Sequence, residues 1–165
     1  MRKALIGGAL VALSSTAVAQ APGWNYFEGD GGLVTAFVVA NDGSQLLLKC
    51  DEPGRREVYA LVFTQTELMP PRTRFVMREV QLRYDDGGSP DTYEWRYLDT
   101  TAAAVNSSGQ RTLTRFLEKL DDAETFNIRL NPVDGNSFEV EFRVAGAAAA
   151  IQRVYDSCDD DNPVG

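Results

Sequence analysis

Across 165 residues there is no histidine, and that absence removes more chemistry than any residue present supplies. Ser-His-Asp and Cys-His mechanisms need an imidazole to take the nucleophile's proton, and the usual catalytic zinc sites need one as a ligand. Lysine is nearly as scarce. Beyond Lys3 only Lys49 and Lys119 occur, which leaves few candidates for Ser-Lys or Schiff-base chemistry. Carboxylate chemistry remains open. Glu139 and Glu141, two apart on a strand, would stand about 7 Å from one another on one face, a spacing that suits the acid and base of an inverting glycosidase. Each alternates with an apolar residue, so the pair is expected on a solvated face. Tyr93, Trp95 and Tyr97 could stack on a sugar ring, but their alternation with Glu94 and Arg96 assigns them to the core. Asp159, Asp160 and Asp161 lack the ligand period and inner glycine of a calcium loop. Arg83 and Asp85 share a face beside a turn and are expected to pair. Asn106-Ser107-Ser108, a glycosylation pattern only in a eukaryote, is expected to lead into a helix with a capping serine. No catalytic residue, metal or cofactor is assigned.

The remaining reactive side chains are two cysteines, Cys50 and Cys158. Their pairing depends on the compartment, and the first nineteen residues give an address. Arg2 and Lys3 precede an apolar run from Ala4 to Leu13, and Ala17-Val18-Ala19 supplies the small-x-small pattern of a signal-peptidase site. About ten apolar residues are too few to span a bilayer, which takes about twenty. Residues 1–19 are therefore expected to be a cleaved export signal, of bacterial type by its short charged start, with the mature chain beginning near Gln20 in the periplasm or the medium. No cysteine sits at the cleavage site to carry a lipid anchor, and no stable membrane insertion is expected after cleavage. In an oxidising compartment two cysteines read as a disulfide. There is no CxxC to suggest a redox or metal pair.

Charge narrows the partners. The chain carries 16 Lys and Arg against 24 Asp and Glu, a net −8; without Arg2 and Lys3 it is 14 against 24, a net −10. Nucleic-acid binding needs a basic stripe that such a chain lacks. The roughly 145 residues after the signal suit one domain with a real core.

The elements that must position these residues follow from hydrophobic period. Tyr93-Trp95-Tyr97, Phe126-Ile128-Leu130 and Phe138-Val140-Phe142-Val144 alternate with polar residues, as half-buried antiparallel strands do. Leu46, Leu48 and Cys50 share a face, so the thiol points inward. Leu33–Ala40 and Val58–Phe63 are apolar on both faces, as expected of strands covered on both sides. Val76, Val80, Leu82 and Tyr84 mark another long strand, and Trp24–Phe27 a first one. Asn41-Asp42-Gly43, Glu52-Pro53-Gly54, Asp86-Gly87-Gly88 and Val133-Asp134-Gly135 supply turns. Leu113-Phe116-Leu117-Leu120 and Ile151-Val154-Tyr155-Cys158 instead take the helical spacing. The expectation is a mainly β, antiparallel sandwich of about eight strands over residues 22–158, with one internal and one C-terminal helix and an acidic, frayed tail over 159–165. Cys158 on the buried face of the last helix can then meet Cys50 on its strand. Thr64–Arg74 is left as a long connection whose Leu68, Met69, Pro70 and Pro71 are apolar without period. These four are the candidate binding loop; the alternative is a covering loop whose apolar residues cap the core.

Several landmarks recur in order: Trp24, the strand ending in Cys50, Leu82-Arg83-Tyr84-Asp85-Asp86-Gly87-Gly88, Trp95, the helix at Phe116, and Phe142-Arg143-Val144-Ala145-Gly146 leading to Ile151, Val154 and Cys158. In these the chain resembles the type VI secretion-associated periplasmic proteins of the VasI/TagO kind and, more distantly, the invasion-associated locus B group. It passes almost directly from Ala19 to Trp24, without the cysteine-containing segment those secretion proteins carry there. The resemblance implies a periplasmic β-sandwich with helical elements and no established enzymatic activity. The function expected is that of an exported envelope accessory that binds another envelope protein. The competing expectation is a glycan- or peptidoglycan-binding module, or a carboxylate-based glycan hydrolase.

Overall fold

The computed structural model describes residues 23–50, 57–71, 74–85, 87–107 and 109–164. The expected signal peptide and cleavage site lie outside them. Among the described residues there are nine strands: β1 (Asn25–Glu28), β2 (Val34–Val39), β3 (Gln45–Cys50), β4 (Val58–Phe63), β5 (Val76–Tyr84), β6 (Asp91–Leu98), β7 (Thr101–Ala104), β8 (Thr125–Leu130) and β9 (Phe138–Arg143). Two helices join them, α1 (Thr112–Leu120) between β7 and β8, and α2 (Ala147–Cys158) at the C-terminal end. The mainly β, antiparallel architecture with an internal and a C-terminal helix is as the periodicity requires.

All nine strands belong to one sheet, in the order β1-β2-β3-β4-β7-β6-β5-β8-β9, and every neighbouring pair is antiparallel. The layers of a sandwich arise here because that sheet curls. β2 comes close to β9, and Trp24 Nε1 donates to Val144 O at 3.0 Å. The concave face carries the apolar half of each alternation, and register aligns it across strands. Ala36, Leu48, Ala60 and Ala104 form one inward row, and Leu82, Ile128 and Val140 another. Both helices fill this concavity. α2 lies against β2, β3 and β4, and α1 against β6 and β7. Small residues Ala147 and Ala150 let α2 approach, while Ile151, Val154 and Tyr155 fill the space. Gly146, at φ 82°, makes the left-handed turn from β9 into α2 that a side chain would strain.

Cys50 and Cys158 are joined in a disulfide, their Cα atoms 5.8 Å apart and 108 residues apart in sequence. A loop of that length corresponds to about 4–5 kcal/mol in the chain-entropy treatment. Three local expectations need correction. The tail folds back: Asn162 Nδ2 donates to Gln152 Oε1 at 2.7 Å, and Val164 packs against the core. α1 has no serine cap. Asn106 serves instead, its Oδ1 accepting from Thr114 N and its Nδ2 donating to Thr114 Oγ1. Asp85 spends its carboxylate on the backbone N–H groups of Glu124 and Thr125, both at 2.9 Å, which ties the end of β5 to the start of β8.

Candidate apolar interface on the outer sheet face

The convex face of the sheet is divided. Over β5, β8, β9 and the first half of β6 it is polar, as an antiparallel sheet facing water should be. Glu79, Arg83, Glu94, Arg129, Glu139, Glu141 and Arg143 all lie exposed there. Glu139, one of the two candidate catalytic carboxylates, meets Arg129 across the strand at 3.5 Å with both side chains about half exposed. Such pairs add little stability.

Over β1–β4 and β7 the same face is apolar. Register carries it continuously from Phe37 to Leu47, Leu61 and Ala103. The next outward row runs Val39, Gln45, Phe63, Thr101 and Leu98, while the first row continues from Ala103 through Arg96 to Met77; Phe75 stands exposed just before β5. Val39 is 52% exposed, Phe75 50% and Leu98 44%. Among the described outward residues of β1–β4 and β7 the one charged side chain is Lys49. Its Nζ sits 5.6 Å from the Tyr59 ring centroid, while at the border the Arg96 guanidinium lies 4.8 Å from that of Phe75. The expectation that Leu33–Ala40 and Val58–Phe63 are covered on both sides is thus corrected. The helices cover the inner side, and the outer side of Phe37, Leu47 and Leu61 is only half buried.

A groove of about 760 Å³ crosses this face. Its floor is short because β7 presents only Thr101 and Ala103 outward. Its walls are tall, with Tyr59 and Leu61 on one side and Phe75 and Leu98 on the other. Exposed apolar surface of this extent, rimmed by polar residues, is what interaction sites show.

The sequence-derived binding loop is not part of it. Leu68 and Met69 are 0% and 1% exposed, Pro70 is half-buried, and only Pro71 of the four is exposed. Asp99 O accepts from the N–H of Leu68 at 2.8 Å and of Met69 at 3.2 Å, and Leu68 O accepts from Val133 N at 2.8 Å. Leu68 and Met69 plug an end of the core, and only Pro70 and Pro71 of the four reach solvent. Trp95 and Tyr97 are wholly buried and Tyr93 half-buried. Trp95 meets Phe116 edge-on at 5.4 Å, and no sugar can stack on a ring enclosed in this way. The signal for the outer face was in the sequence, as apolar residues on both faces of β2 and β4.

The titrating groups that the fold does perturb all move away from neutrality. Burial pushes Tyr97 and Tyr155 up to about 12, and raises Tyr84 further and Tyr93 less. Lys119 is raised by the hydrogen bond and charge of Asp91, 3.1 Å away. Asp85 is lowered by its two backbone donors. None of these groups is poised to exchange a proton near pH 7. Among the described residues no helix is long and apolar enough to cross a membrane, and no group of three or more acidic or cysteine side chains is placed to share a metal ion.

No family model matches this chain, and neither does any curated protein or solved structure.

Proposed function

We propose that this chain is an exported, non-enzymatic accessory protein of the bacterial cell envelope that acts by binding protein. Its contact surface is the apolar outer face over β1–β4 and β7. The observation that carries the reading is the division of one sheet face into a charged half and an apolar half. Water alone would select polar residues across all of it, as it has over β8 and β9. Retaining Phe63, Phe75 and Leu98 in water costs solubility unless something covers them. The leader-like residues 1–19 and the disulfide support a periplasmic address, where such bonds persist. A place beside a type VI secretion apparatus is the form of this reading that the VasI/TagO resemblance suggests.

Photocrosslinking in the exporting cell tests it. A photoreactive residue at Phe63 or Leu98 should trap a discrete protein adduct, and one at Glu141 on the charged half should not. Equal labelling from all three positions, or none from any, would overturn the reading.

A further inference from the structure

We infer that the protein covering this face is a second copy of the same chain, so that two curled sheets pack outer face to outer face about a two-fold axis. The inference rests on the binding reading above and names its partner. Three observations carry it: area, shape and charge.

Area comes first. With aromatic side chains presenting on the order of 200 Å² each, the exposures of Phe27, Val39, Phe63, Phe75, Met77 and Leu98 leave roughly 550 Å² of apolar surface per chain. Two such faces together would remove about 1,100 Å² from water, above the roughly 1,000 Å² that a biological interface must clear and before any polar rim is added. An ordinary monomer carries a largest patch of about 300–600 Å², so this face stands at the top of what one chain tolerates alone.

Shape is the second. A two-fold interface must be complementary to itself, because each patch meets its own copy. This face carries both parts of such a fit. The groove floored by Thr101 and Ala103 lies beside the ridge formed by Val39, the exposed Gln45 and Phe63 on β2, β3 and β4. Rotated about a two-fold axis, the ridge of each copy can enter the groove of the other. Sheets packed face to face at about 10 Å with their strands roughly aligned are an ordinary way to bury such surfaces. β2 and β4 already have the composition of strands buried on both sides.

Charge is the third. The chain has a net charge of −8, which opposes self-association at long range. Yet the described outward residues of β1–β4 and β7 include no carboxylate, and their one cation, Lys49, lies over Tyr59. The carboxylates in the proposed contact are Glu57 and Asp160, which line the groove together with the Arg96 guanidinium. Over the charged half, the same approach would oppose Glu139 and Glu141 to their own copies.

Sedimentation equilibrium on purified chain carrying residues 20–165, which hold all the described structure, is the test. Over a concentration series from about 1 µM to 1 mM the apparent mass should rise from monomer to dimer. Replacing Phe63→Arg and Leu98→Arg together places like charges in the contact and should weaken dimerisation by about 100-fold or more, with the far-UV spectrum unchanged. Glu141→Lys, on the charged half, should leave the dimer intact. Should the double variant fail to fold, Val39→Lys alone, at the most exposed apolar position of the ridge, serves the same purpose. A chain that stays monomeric throughout, or a dimer indifferent to these arginines and to Val39→Lys, overturns the inference. A monomer in solution whose Phe63 and Leu98 crosslink a different protein in the cell overturns the second copy while leaving the binding reading in place. Absence of any adduct overturns both.

Discussion

Asp85 shows how one side chain can close a gap between distant strands. It adopts φ 50°, a left-handed conformation that Asp and Asn tolerate better than other side chains, and from there its Oδ1 reaches the backbone of Glu124 and Thr125. Hydrogen bonds to the ionised form hold its carboxyl below the ordinary value. The sign follows directly. A folded pKa below the unfolded one contributes stability that is present above the unfolded value, and that is lost as pH falls through the folded one. The loss belongs below about pH 4, where unfolded Asp titrates. Asp85→Asn keeps an acceptor and the backbone preference but cannot titrate. Its melting temperature should therefore fall less between pH 7 and pH 3 than that of the unaltered chain. Parallel falls in the two proteins would show that Asp85 contributes nothing to the acid limb. The residue sequence placed Asp85 at a turn, but its partners are about forty residues away. Local spacing could suggest only its neighbour Arg83.

Among the elements, alternation was legible wherever one face of a strand meets the core. Tyr93-Trp95-Tyr97 and Phe138-Val140-Phe142 point where period two puts them, and α1 buries Leu113, Phe116, Leu117 and Leu120 as period 3.6 requires. Two things were not legible. A connection has no period, so nothing in Leu68-Met69-Pro70-Pro71 says which of its side chains turn inward; the hydrogen bonds to Asp99 and Val133 decide that. And a strand apolar on both faces announces that both are to be covered without saying by what. The helices account for one side of β2 and β4, and the outer side is left half-buried or exposed. Since Leu68 is a wholly enclosed core residue, Leu68→Ala should cost about 2–5 kcal/mol in urea unfolding. Pro71→Ala, at an exposed position of the same segment, should fall within about 0.5 kcal/mol of the unaltered chain. Near-equal effects of the two substitutions would mean the segment is not the plug its burial describes.

At the scale of the whole molecule, strand order was the part composition could not supply. β4 pairs with β7 and β5 with β8, choices set by how the chain closes on itself rather than by any local pattern. Closure depends on the last element. α2 is made last, yet it fills the concavity of β2, β3 and β4, and its final residue is bonded to the end of β3. Without it the inner faces of Val34, Ala36, Leu46 and Leu48 lose their cover, and the sheet has no reason to curl. The disulfide and the helix are separable contributions. Cys158→Ser removes the covalent link but leaves Ile151, Val154 and Tyr155 in place. That variant should still unfold cooperatively, less stable by about 2–5 kcal/mol. A chain ending at Gly146 loses all of those side chains, and stability of only about 5–15 kcal/mol for a typical domain cannot absorb the loss. It should show no cooperative thermal transition and should bind a hydrophobic dye at room temperature, as states without fixed tertiary contacts do. A sharp melt from the shortened chain would mean that the nine strands hold their curl without α2. The core would then have to be ascribed to the sheet and α1 alone.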